Sequence, residues 1–226
     1  MGSILLRGVN WIRRFRHRCG YGVHSPFDFY LITSVIYEQA PFYAYASLHH
    51  LRRVVAHLPH YREKVDRMIF RLVNYLQPSC IVDVGTGSGL TARYMAEACP
   101  KADIITFSAQ REEAVARILS ACPNVKYVSG DFDEVVGLYF DTHFPYLIHI
   151  GDVPDYEQKF EDLCQFYDER LCFIIAHPYA DSRKKRWWKA LVKENYRARV
   201  TFDLYDVGLV FVNRKRAKEN HIVNFL

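Results

Sequence analysis

The sequence predicts an α/β protein: a doubly wound sheet of seven strands, mostly parallel, ending in an antiparallel hairpin and preceded by a helical N-terminal segment. Three observations predict it. Beyond Pro78 short apolar runs alternate with amphipathic stretches, the pattern of strands joined by crossover helices. The last two strand-like runs, "RVTFDLYD" and "GLVFVNR", have almost no chain between them, with Gly208 near their junction. Parallel neighbours need a long crossover, so these two pair antiparallel. Before Pro78 the segments read as helices.

The chain has 226 residues, enough for one large α/β unit or for one domain with an elaboration. Residues 1–61 are expected to form a helical N-terminal segment, as a cap or interface region, and residues 62–226 the main α/β domain. The front begins with a basic amphipathic arm from Ile4 to Arg18. Ser25-Pro26 then marks a helix start, with Ser as N-cap, Pro at the first helical position and Asp28 near the positive end of the dipole. That helix is expected from Pro26 to Glu38, and another from Ala46 to His57. In "REKVDRMIFRLVNYLQP", Val65, Met68, Ile69, Leu72, Val73 and Leu76 recur at helical steps, and Pro78 stops the helix.

After Pro78 the order is strand "CIVDVG", helix "LTARYMAEACP", strand "ADIITFS", helix "REEAVARILSAC", strand "VKYVSGD", strand "YLIHIGD", helix "YEQKFEDLCQFY", strand "LCFIIAH" and helix "SRKKRWWKALVKE", then the terminal hairpin. No repeat or low-complexity tract interrupts it.

Composition narrows the function classes. No apolar run is long enough to span a bilayer, and no secretory signal is visible at the N-terminus. Cys19, Cys80, Cys99, Cys122, Cys164 and Cys172 are scattered without a C-x-x-C, so they read as reduced thiols of a cytoplasmic protein. The net charge of +5 is mild and concentrated in "RRFRHR" and "RKKR". Nucleic acid or a membrane would use such patches, but a solvated helix face is the reading preferred here.

The chemistry lies in "VDVGTGSG". Gly85, Gly87 and Gly89 fall between a strand and a helix, where glycine admits unusual dihedrals and close ligand approach, and the helix offers free N–H groups. The spacing is G-x-G-x-G. A dinucleotide fingerprint needs G-x-G-x-x-G, and a Walker A loop needs a following Lys, so pyrophosphate ligands are disfavoured. Asp83 would repel phosphate and attract an ammonium group.

"IVDVGTGSGLTARYMAEA" resembles the first motif of class I S-adenosylmethionine-dependent methyltransferases, a Rossmann-like fold. "GYGVHSPFDFYLIT" and "FRLVNYLQP" are similar to a Bacteroidetes-type group of that class, distantly akin to catechol-type small-molecule O-methyltransferases. The resemblance implies S-adenosylmethionine as cofactor. Gly85, Thr86, Gly87 and Gly89 would line its methionine and ribose, and Asp83 would meet the amino end. Ser108 and Ala109 would face ribose and adenine, Asp131 and Phe132 would flank the adenine, and Gly151 would border the sulfonium.

Departures accompany the likeness. The family places an acid where Ser108 stands. A charge-assisted hydrogen bond contributes about 1.5–3 kcal/mol against about 1 for a neutral one, so Ser108 lowers affinity by roughly tenfold without abolishing it. Catechol-type enzymes hold Mg²⁺ with an Asp where this chain has Gly151 and an acidic pair where it has His177, so no metal is expected. A softer ion on Asp152, His177 and Asp181 is the alternative.

The reading is therefore an enzyme transferring methyl to a small-molecule hydroxyl or amine, probed through His24, Asp152 and His177 as candidate bases. A second reading is a degenerate fold member that binds or scaffolds without catalysis, favoured by Ser108, Gly151 and His177. A third is an RNA or protein methyltransferase; "GDVPDY" lacks the N-P-P-[YF] motif of nucleobase enzymes. Expected partners are a small-molecule acceptor rather than nucleic acid, with a homodimer left open. His149, flanked by isoleucines, reads as a satisfied core histidine. Trp187 or Trp188 reads as packing on the sheet rather than as base stacking, and Tyr43 and Tyr45 as either lid or core aromatics.

Overall fold

The computed structural model describes residues 4–130, 132, 146–165 and 169–226. Of the site residues expected from sequence, Asp131 lies outside these. By contacts the chain divides into two units, Gln39–Tyr156, and Met1–Glu38 together with Glu157–Leu226. The described residues include eight strands, four in each unit.

The unit Gln39–Tyr156 holds helices α3 (Tyr45–Val54) and α4 (Glu63–Leu76), then β1 (Cys80–Val84), α5 (Leu90–Ala98), β2 (Asp103–Ser108), α6 (Glu113–Leu119), β3 (Val125–Ser129) and β4 (Leu147–Ile150). Its four strands are all parallel neighbours, β1 pairing with β2 and β4, and β2 with β3. Every residue of β1 and β4 is buried, as a parallel strand covered on both faces requires. α4 buries Val65, Met68, Ile69, Leu72 and Val73 at helical spacing. It ends on Gln77 in the left-handed conformation just before Pro78. Tyr45 is a core aromatic, packed between Phe42 and Phe70, whereas Tyr43 is exposed and its hydroxyl donates to the Glu97 carbonyl.

The other unit holds α1 (Ile4–Arg13), α2 (Pro26–Tyr30), most of α7 (Tyr156–Leu163), β5 (Cys172–Ala176), α8 (Ser182–Glu194), β6 (Val200–Asp203), β7 (Val207–Phe211) and β8 (Glu219–Ile222). Ser25 caps α2 with its hydroxyl. The helix expected to run on to Glu38 changes character at Leu31. Leu31–Ile36 is a π-helical stretch, where Tyr37 N–H bonds the Ile32 carbonyl five residues back. The terminal hairpin is present: β7 pairs antiparallel with both β5 and β6. The outer edge of the Trp188 indole lies against Gly208, where a Cβ would sit only 2.3 Å from it. That face of the strand is open to the ring because residue 208 has no side chain.

The strand count corrects the sequence expectation of seven. β8 runs parallel to β6, pairing Glu219 with Val200 through Ile222 with Asp203. Its sequence, Glu-Asn-His-Ile, offers no apolar run, and only alternate residues are exposed. It is an edge strand held by backbone pairing and by His221, whose Nε2 lies 3.2 Å from Asp28 Oδ2.

Candidate functional site

The site is built at the end of β1, in the unit Gln39–Tyr156. Gly85, Gly87 and Gly89 all adopt positive φ, at 91°, 54° and 76°. The chain leaves the sheet, turns, and enters α5 with Gly89 as a left-handed N-cap. Gly85 and Thr86 N–H groups both donate to the Phe107 carbonyl of β2, so the turn is anchored to the neighbouring strand.

Three of the glycine faces meet protein. A Cβ on Gly85 would come 2.9 Å from Val153 Cγ1, one on Gly87 3.3 Å from the Pro59 carbonyl, and one on Gly89 3.0 Å from Val115 Cγ1. Pro59 also accepts the Ser88 N–H at 3.2 Å. The segment before α4 thus lies as a strap across the glycine loop. Gly151 has its own reason to be glycine. Its N–H donates to Val84 O at 2.7 Å, and a Cβ would sit 2.8 Å from Gly85 O. The carboxylate that catechol-type enzymes place here has no room in this backbone.

Beneath the loop runs a buried chain of side-chain hydrogen bonds. Asp83 Oδ2 accepts from Thr106 Oγ1 at 2.6 Å, and Thr106 Oγ1 lies 2.7 Å from Thr86 Oγ1. Since the Thr106 hydroxyl proton is given to Asp83, Thr86 is the donor to Thr106. On the other side, His149 Nδ1 is 2.6 Å from Asp83 Oδ1, and His149 Nε2 is 2.8 Å from the Tyr61 hydroxyl. A carboxylate only accepts, so Nδ1 donates to Asp83. With the proton on Nδ1 alone, Nε2 would accept from Tyr61. Two donor chains converge on one carboxylate: Thr86 to Thr106 to Asp83, and Tyr61 to His149 to Asp83. All five side chains belong to buried residues.

Asp66 adds a second buried acid. It accepts from Arg52 at 2.5 Å and from Thr91 at 3.0 Å, tying α3, α4 and α5 together. Burial pushes its carboxyl up to about 6, against the pull of Arg52. Arg52 also donates to the Tyr61 carbonyl, which fixes the strap from its other end. Val55, Leu90 and Ile118 close the apolar side, with Leu51 and Leu58 packed on them.

Past β2, Ser108 is half-buried and its hydroxyl is 2.5 Å from the Gln110 carbonyl and 2.9 Å from Tyr127 Oη. Tyr127 in turn accepts the Glu112 N–H at 3.1 Å. Ala109 is exposed. Phe132 packs edge-on to Phe107, with centroids 5.1 Å apart. Gly130 has φ 128°, and among the described residues nothing lies within 4 Å of the place a Cβ would take. The Gly85–Gly89 turn is strapped by the Pro59 carbonyl.

Asp152 follows Gly151 at the end of β4 and is exposed. In the other unit, His24 is exposed in the turn before Ser25. His177 follows β5 at φ 40°, its N–H donating to the Asp206 carbonyl at 2.9 Å. Asp181 caps α8, its Oδ1 accepting the N–H groups of Arg183 and Lys184 at 2.7 and 2.9 Å. Trp188 is buried, its indole N–H 3.3 Å from Asp203 Oδ2, so it packs on the sheet. Sequence reasoning did not anticipate Tyr61, Thr106 or the pairing of His149 with Asp83. The only local signal was a lone acid and a lone histidine at corresponding places on two apolar strands.

No protein-family model matches the sequence, and no curated protein matches it. Solved structures do match its fold. A methyltransferase from Geobacter sulfurreducens superposes with TM-score 0.60 at 16% identity, covering 78% of this chain and 92% of that one. The O-methyltransferase TomG from Streptomyces achromogenes, solved with SAM, gives 0.58 at 16%, covering 77% and 91%. An O-methyltransferase from Bacillus cereus, solved with SAH, gives 0.58 at 14%, covering 83% and 97%. The chain has the class I methyltransferase fold.

Proposed function

We propose that the protein is an S-adenosylmethionine-dependent methyltransferase acting on the hydroxyl of a small molecule. The observation that carries the reading is the left-handed glycine turn between β1 and α5, in a sheet whose fold neighbours include proteins solved with SAM and SAH. The residues that would take its nucleoside end are Ser108, Ala109 and Phe132, of which Ala109 is exposed and the other two half-buried.

S-adenosylmethionine would supply a methyl group already activated on a sulfonium. What the chain must do is bind, align and remove one proton. Ser108, Ala109 and Phe132 take the nucleoside. The relay from Tyr61 to Thr86 positions the loop. Asp152 takes the acceptor proton. The reading is metal-independent, since Gly151 presses its backbone on Val84 and Gly85 where a catechol-type ligand would stand.

Calorimetric titration with S-adenosylmethionine and S-adenosylhomocysteine tests it. Micromolar binding is expected, weakened at least about tenfold in a Phe132→Ala variant that keeps the wild-type melting temperature. No heat up to millimolar ligand overturns it. The engagement of both Asp83 oxygens and of the Ser108 hydroxyl by the protein itself favours a second reading, a fold member that binds without catalysis. Binding without radiolabelled methyl transfer across a screen of phenols and alcohols would select that second reading.

A further inference from the structure

Helix α1 is amphipathic the wrong way round for a surface helix. Two of its polar residues, Arg7 and Asn10, face the protein. Arg7 makes a two-pronged ion pair with Asp206, both bonds at 2.7 Å. Asn10 donates to the Tyr205 hydroxyl at 3.2 Å, and Arg14, just past the helix, bonds the Asp203 carboxylate at 2.8 Å and its carbonyl at 2.9 Å. Tyr179 and Tyr205 stack 5.2 Å apart, and the Arg14 guanidinium lies over both rings. Residues 7, 10 and 14 follow one helical stripe.

The opposite stripe is apolar and exposed. Val9 is 41% exposed, Trp11 40%, Ile12 69% and Phe15 52%. Burying such a face is the usual reason an amphipathic helix docks, and here docking has left it in water. Exposed Arg13, Arg16 and Arg18 border it, and no acidic residue occurs before Asp28. Phe15, Arg16, Arg18, Cys19 and Tyr21 line a concavity of about 610 Å³ beside it.

We propose that this face seats the protein on an anionic lipid bilayer, with Ile12, Phe15 and Trp11 entering the headgroup boundary and Arg13, Arg16 and Arg18 meeting lipid phosphates. Charge selects the occupant. A second copy would bring the same arginines face to face, and nucleic acid has no use for exposed Val9 and Ile12, whereas an acidic membrane matches both the cations and the apolar stripe. Ten helical residues lie on a bilayer and cannot cross it.

The test is sedimentation of the whole chain with phosphatidylcholine vesicles, and with vesicles of phosphatidylcholine and phosphatidylglycerol in equal parts. Wild type should pellet with the acidic vesicles only. Both Ile12→Asp/Phe15→Asp and Arg13→Glu/Arg16→Glu should lose this by at least about tenfold, with melting temperatures unchanged because the side chains are exposed. Wild type that stays in the supernatant overturns the proposal. So does an Ile12→Asp/Phe15→Asp variant that folds and pellets like wild type, which would mark a surface for polyanions such as RNA. A vesicle-free wild-type dimer that this variant dissolves would assign the face to a second copy and also overturn it. Should the variant fail to fold, brominated acyl chains decide: they quench wild-type fluorescence more than that of Trp11→Phe, or the proposal fails.

Discussion

His149 Nδ1 stands 2.6 Å from Asp83 Oδ1, and both side chains are almost closed to solvent. The two residues are 66 positions apart and directly opposite each other in the β1–β4 register. Asp83 is therefore the meeting point of two donor chains. Removing the carboxylate would leave the buried His149 Nδ1 and Thr106 Oγ1 donors unsatisfied, at about 1–3 kcal/mol each. Asp83→Leu should destabilise by the two together. Tyr61→Phe, which leaves His149 Nε2 without its donor, should cost about 1–3 kcal/mol. The double variant should cost less than the sum, since the two act on one network. Urea denaturation of the four proteins measures all three quantities.

The close approaches at two glycines predict large effects from one methyl. In Gly208→Ala the Cβ would sit 2.3 Å from Trp188, and in Gly151→Ala 2.8 Å from Gly85 O. Overpacking costs about 1–3 kcal/mol or more. The sites differ in what can yield. Trp188→Leu should partly rescue Gly208→Ala, because the clash is with a replaceable side chain. No side-chain change should rescue Gly151→Ala, where the obstacle is backbone. Thermal melts of the single and double variants separate the two cases.

Asp28 predicts acid sensitivity. It is buried, and burial alone would raise its carboxyl, but the bonds from His221 and Arg216 and the Arg216 charge outweigh this and hold it down at about 2. Ser25, Glu219 and Arg216 are the other polar groups at the cluster, with His221 3.4 Å from Glu219. A depressed carboxyl contributes stability that is present above its unfolded value near 4 and lost as pH falls through 2. The shift corresponds to roughly 2 kcal/mol. Unfolding free energy followed from pH 5 downward should decline over that window in wild type and be flatter in Asp28→Asn, which starts from a lower value at neutral pH.

Ser108 predicts an improvable ligand site, on the proposed function. An aspartate there would offer charge-assisted bonds to ribose hydroxyls and could still accept from Tyr127. Ser108→Asp is expected to tighten S-adenosylhomocysteine binding by up to about tenfold, read by calorimetry. Unchanged or weaker binding would mean that the Ser108–Gln110–Tyr127 turn is needed as it stands.

Much of this molecule was legible before any coordinates. The order of strands and helices, the antiparallel hairpin, the stop at Pro78 and the Ser25 cap follow from periodicity, connection length and single-residue chemistry, which are local. The glycine turn was legible because three positive φ values in five residues demand glycine. β8 was not, because a polar edge strand is held by a partner backbone rather than by its own pattern. Asp181, weighed as a metal ligand, accepts through Oδ1 the N–H groups of Arg183 and Lys184, the second and third residues of α8.

The arm at the front shows where the division falls. Periodicity shows that α1 has an apolar and a basic side, and nothing in the first twenty residues says which side docks. That was decided by Asp203 and Asp206, nearly two hundred residues later, which draw Arg7 and Arg14 inward and leave Ile12 and Phe15 outside. The same holds for Asp83, whose partner His149 is set by strand register. Sequence by itself determined the elements and the glycine turn, because each depends on neighbours within a few residues. Only the tertiary structure decided which polar groups pair, because a buried charge takes whichever donor the fold brings within about 3 Å.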